Sequence, residues 1–82
     1  MTDDKRKTVQ YYLSDLGTLL LEAARQAKQA RDSAKNAERE FESGRLMAYN
    51  EIISLMQQQA EAFDIDLSNI GLAGVDPDKE FV

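Results

Sequence analysis

The sequence predicts an all-α protein: a long antiparallel helical hairpin with an ordered C-terminal tail, dimerising into a four-helix bundle. Three observations carry the prediction. Val9, Leu13, Leu16, Leu20, Ala23, Ala27, Ala30, Ala34, Ala37 and Phe41 follow one another at alternating steps of four and three, which places them along one line of a helix because residues so spaced are neighbours on its surface. Leu46, Tyr49, Ile53, Met56, Ala60 and Phe63 repeat that spacing. Between the two runs, Phe41-Glu42-Ser43-Gly44 breaks the phase with a cap former and a glycine suited to a tight turn. A single helical domain over residues 1–82 follows, with a first helix over about 4–41, a turn at 42–44, a second helix over about 45–63 and an acidic tail over 64–82.

In the first helix, Thr2, Asp3 and Asp4 are cap and first-turn residues, with carboxylates at the positive end of the helix dipole. Large apolar residues fill the seam from Val9 to Leu21, with Tyr12 and Leu19 widening it. From Glu22 to Glu40 the seam is alanine alone. Gly17 lies inside the first half, where glycine costs about 1 kcal/mol relative to alanine, and close packing is the expected reason for so small a residue. The alanine half has high helix propensity but little apolar area, so a neighbouring helix must bring bulk to it.

The second helix supplies that bulk. Beside its main seam runs a second line, Ala48, Ile52, Leu55 and Ala62, and together the two cover about half the circumference. A helix apolar over so wide an arc faces more than one neighbour. Folded back, a helix of roughly 20 residues spans about 30 Å, whereas one of nearly 40 is about twice as long. The leucine-rich half of the first helix therefore overhangs and needs a second chain, the tail, or both. The expected dimer interface comprises Val9, Tyr12, Leu13, Leu16, Leu19, Leu20, Ile52, Leu55 and Gln59. The alternative is one continuous coiled-coil helix of about 60 residues, in which the seam passes through Gly44 to Ala48, Ile52 and Leu55 with a stutter. A Ser-Gly pair at the phase break favours the hairpin.

The tail contains two glycines and the only proline, yet Ile65, Leu67, Ile70, Leu72 and Val75 are too apolar for a free linker. A short turn near Leu67–Ile70 is expected, and Asp76-Pro77 is a helix-opening pair.

Composition narrows the function. A chain of 82 residues buries a small core and usually needs a staple. With no cysteine and no histidine, disulfides and thiolate or imidazole metal sites are excluded, which leaves a partner subunit. Six aromatic residues and abundant alanine favour helices over sheets. No run approaches the roughly 20 apolar residues of a membrane span, and MTDDKRKT lacks the apolar stretch of a signal peptide; a cytoplasmic location is expected. Residues 1–45 carry a net +1 and residues 46–82 a net −6, so the acidity belongs to the C-terminal half.

No catalytic, cofactor or metal constellation stands out. Ser14, Ser33, Ser43, Ser54 and Ser68 have no evident base placed beside them, and Glu38, Glu40 and Glu42 read as solvated charges. Asp64, Asp66 and Ser68 open like a calcium loop, but Asn69 stands where glycine is needed and Val75 where a bidentate glutamate belongs. Arg25, Lys28, Arg31, Lys35 and Arg39 share one side of the first helix and form a possible partner-binding basic face. Asp32 lies among them and no aromatic residue interleaves for base stacking, which argues against nucleic acid. Gln59, in the apolar arc of the second helix, either fixes register in an interface or reaches water. Tyr49 reads as a core ring whose hydroxyl needs a partner.

The stretch FESGRLMAYNEIISLMQQQAEAFDIDLSNIGL, residues 41–72, resembles a recurring pattern in short bacterial proteins of two helices, most specifically in Ser43-Gly44-Arg45-Leu46 and Gln58-Gln59-Ala60-Glu61-Ala62-Phe63. That resemblance implies a bacterial, cytoplasmic helical hairpin and no particular activity. The functional expectation is a non-enzymatic protein–protein interaction module, a homodimer that binds a further protein partner. The alternatives are a nucleic-acid-associated protein using the basic face, or an acidic inhibitor or mimic acting through the tail.

Overall fold

The computed structural model describes the backbone of residues 2–82 and the side chains of residues 5–82. The capping expected of the Thr2, Asp3 and Asp4 side chains lies outside the described residues. Two long helices, α1 (Thr2–Ser33) and α2 (Ala37–Ala62), pack against each other. A 3-10 turn at Leu67–Ile70 and a single helical turn, α3 (Pro77–Glu80), follow.

The hairpin reverses earlier in the chain than the Ser-Gly pair indicates. Helix α1 stops at Ser33, and the turn is Ala34-Lys35-Asn36. The Ala34 N–H donates to the Arg31 carbonyl at 3.2 Å, and Asn36 takes φ 59°. Asparagine is among the few side chains that tolerate a positive φ. Residues 42–44 lie inside α2, and Ser43 is not a cap. The physical reason is length matching. Reversal at 34–36 makes helices of 32 and 26 residues, so α2 reaches back along most of the leucine-rich half of α1. A turn at 42–44 would have left that half bare, and a glycine inside a helix costs only about 1 kcal/mol. Much of the overhang expected from the sequence is thereby removed.

Ala24, Ala27, Leu46, Ile53, Ala60, Ile70, Leu72 and Phe81 form one buried cluster, with Leu13, Leu21, Tyr49 and Met56 packed against it. Small residues from α1 meet large ones from α2, as the alanine seam requires. The tail completes the core. After α2, the Ile65 N–H donates to the Ala60 carbonyl at 2.7 Å. The Asp66 carboxylate accepts from the Ser68 N–H at 3.2 Å, opening the 3-10 turn, and Gly71, at φ 74°, closes it. The Asp76 carboxylate caps α3 by accepting from the Asp78 N–H at 3.1 Å, with Pro77 in the first turn.

Gly17 explains how the tail can lie so close. A Cβ at Gly17 would collide with the carbonyl of Ile70, and one at Gly71 would press on the Ser14 carbonyl and the Thr18 hydroxyl. The small residue in α1 thus serves the approach of the tail, not that of a neighbouring helix. Gly17→Ala should therefore destabilise the protein by about 1–3 kcal/mol through overpacking, although alanine is the better helix former by about 1 kcal/mol. A thermal melt checks the sign, and a raised melting temperature would refute the packing argument.

Candidate interaction surface

The tail lies along one long side of the hairpin, and the residues that hold it define that side. On α2, Asn50 Nδ2 donates to the carbonyls of Pro77 at 2.9 Å and Phe81 at 3.1 Å, and Gln57 Nε2 donates to the Val75 carbonyl at 2.8 Å. On α1, Arg25 Nε lies 2.7 Å from Glu80 Oε1. Asn50, Ser54 and Gln57 repeat the four-three spacing beside the apolar seam. Within that stripe the Ser54 hydroxyl donates to Asn50 Oδ1 at 3.4 Å, and in the sequence it looks like any solvated flank. Phe81, which no periodicity marks in the sequence, is only 1% exposed and belongs to the core cluster.

The opposite long side is open. At 100° per residue, Tyr12, Leu16, Leu19, Ala23 and Ala30 of α1 point away from the tail, and so do Phe41, Ala48, Ile52 and Leu55 of α2. Tyr12, Leu19, Phe41, Ile52 and Leu55 are all exposed, Tyr12 at 64% and Leu55 at 58%. Leu16 and Leu20 are half-buried. Between Thr8 and Ser33 this strip of α1 carries no charge, and on α2 it is interrupted by Arg45 and, nearer the turn, bordered by Glu38 and Glu42. Near the turn the open side dips into a hollow of about 620 Å³ lined by Ala30, Ala34, Ala37, Phe41, Glu38 and Glu42.

Of the expected interface residues, Tyr12, Leu16, Leu19, Ile52 and Leu55 lie on this open side, whereas Gln59 lines a cavity at the open end with Leu13, Phe63, Ile65 and Ile70. Leu13 is also off the open side: it packs against the core cluster and lines a cavity with Ile70 and Ile65 at the open end. Val9 is exposed at the edge of that cavity, beside Lys5 and Arg6, and Leu20 turns further toward α2. Gln59 is exposed on a chain considered alone. Phe41, expected at the end of the first seam, belongs instead to the open side of α2.

The five basic residues are dispersed. Because α1 ends at Ser33, Lys35 falls in the turn and Arg39 in α2. Arg25 is paired with Glu80 of the tail. The Arg31 side chain, 17% exposed, turns toward α2 and pairs with Asp32 at 3.0 Å, while Arg39 donates to the Arg31 carbonyl at 3.2 Å. No continuous basic face remains, and Lys28 is half-buried. Glu80 of the acidic tail is likewise occupied. Among the described residues, no group of three or more carboxylates is placed to hold a metal ion, and no helix is long and apolar enough to cross a membrane.

Comparison with protein-family models, curated proteins and solved structures returns no match.

The attachment of the tail is testable at Asn50. Asn50→Asp replaces the amide donor with a carboxylate facing two carbonyls, at a cost of about 1–3 kcal/mol. Amide hydrogen exchange over residues 76–82 should accelerate roughly 10-fold or more, with the centres of α1 and α2 little changed. Unaltered exchange in the tail would show that Asn50 does not hold it.

Proposed function

We propose that the protein is a non-enzymatic interaction module whose open side is buried against a second copy of the chain, making a four-helix bundle flanked by the two tails. The observation that supports this reading is the uncharged, apolar strip shared by α1 and α2 on the side away from the tail. Exposed leucines, isoleucine and aromatic rings at helical spacing on one side are the anatomy of a helix–helix interface.

Size agrees with this reading. The hairpin is 53 Å long and 16–21 Å across, so its open side covers on the order of 800–1,000 Å², comparable with the roughly 800 Å² per partner of a stable interface. Burial at about 25 cal/mol per Å² of apolar area gives a strong drive toward association, offset by the entropy of immobilising two chains. The two-fold symmetry of such a pair needs only one self-complementary patch. The dispersal of the basic residues, and the ion pair between Arg25 and Glu80, favour this reading over one that relies on nucleic acid or on a free acidic tail.

Light scattering should give twice the 9.2 kDa chain mass. Leu19→Glu and Ile52→Glu, each on the open side and outside the core cluster, should return the mass to that of one chain while leaving the helical circular-dichroism signal of the fold in place. A wild-type protein that stays monomeric at high micromolar concentration would overturn the proposal.

A further inference from the structure

The open side has a direction. On α1 its large residues, Tyr12, Leu16 and Leu19, stand toward the open end of the hairpin, and its small ones, Ala23 and Ala30, toward the turn. On α2, Ile52 and Leu55 stand toward the open end and Gly44 and Ala48 toward the turn, with Phe41 the one large residue beyond them. Beyond its chain neighbours and the backbone of its own helix, nothing lies within 4 Å of the Cβ position of Gly44. The surface therefore has a ridge at one end and, beside Phe41, a hollow at the other.

We infer that the second copy packs antiparallel along this side, the ridge of each chain seated in the hollow of the other, with α1 over α1 and α2 over α2. This rests on the dimer reading above and adds its geometry. Both helices start from the same turn and rise about 1.5 Å per residue, so the middle of the paired arms lies about 22 Å along them. A two-fold axis through the middle then brings Tyr12 over Ala30 of the second copy, Ile52 over Ala48 and Leu55 over Gly44. Large meets small at these three levels, both arms of the hairpin give the same register to within about two residues, and Phe41 falls near Gln59 at the end of the partner's second helix. In the parallel arrangement the large residues of both copies crowd one end and the two hollows face each other as a void, against the close packing of protein interiors. Charge agrees with the antiparallel choice. Lys5 stands at the open end, and the hollow that would receive it carries Glu38 on its rim, Glu42 beside it being paired with Arg45 at 3.0 Å. Gly44 also acquires a role as a point of close approach between helices.

Spin labels separate the two arrangements, and a chain without cysteine accepts single labels cleanly. Lys35→Cys places a label at the turn and Glu22→Cys places one near the middle, both at exposed positions. In the antiparallel pair the Lys35→Cys labels should lie about 40 Å or more apart, while the Glu22→Cys labels lie within about 25 Å. A turn-label distance below about 25 Å would overturn the antiparallel register and leave the dimer standing. No dipolar signal at either position, with the fold intact by circular dichroism, would overturn both.

Discussion

The close approach of the C-terminal tail to α1 at Gly17 governs the rest of the molecule. Where a side chain would stand in α1, the carbonyl of Ile70 stands instead, and Gly71 turns just above Ser14 and Thr18. That contact brings Ile70, Leu72 and Phe81 into the same cluster as Ala24, Ala27, Leu46 and Ile53. Two helices alone, one of them lined by alanine, would enclose little apolar surface. The tail supplies the third wall that a chain of 82 residues needs to form a core at all.

Docking the tail on one long side also decides what the other side is for. The polar flank of α2, through Asn50 and Gln57, is committed to tail carbonyls, and Arg25 is committed to Glu80. The early reversal of the chain spreads the other basic groups among α1, the turn and α2. What remains uncommitted is apolar: Tyr12, Leu19, Phe41, Ile52 and Leu55 on a strip with almost no charge. A surface of that kind supports association more readily than catalysis, and its gradient from large to small residues supports one particular way for two copies to meet.

The four-three spacing made both helices legible, and so were the main seam of α2, the apolar second line beside it and the ordered turn at Leu67–Ile70. The position of the reversal was not. Ser43-Gly44 has the chemistry of a turn, but turn chemistry is worth about 1 kcal/mol, whereas each large side chain brought under cover is worth about 1.5–3 kcal/mol. Extending α2 backward through Gly44 lets Met56 and Ala60 reach the leucine-rich part of α1, and burial outweighs the local preference. Phe81 was missed because an isolated aromatic near a chain end has no periodicity to announce it. Asn50 and Gln57 were missed because polar residues beside a seam look alike whether they face water or a backbone carbonyl.

By itself the sequence determined the helical class, the apolar faces and the lack of histidine and cysteine chemistry, because these depend on residue type and on spacing within a few turns. Only the tertiary structure decided where the chain reverses, which side the tail covers and which side stays bare. Those outcomes depend on matching the lengths of distant segments and on a backbone contact between Gly17 and Ile70, fifty-three residues apart, and no local pattern encodes such a contact.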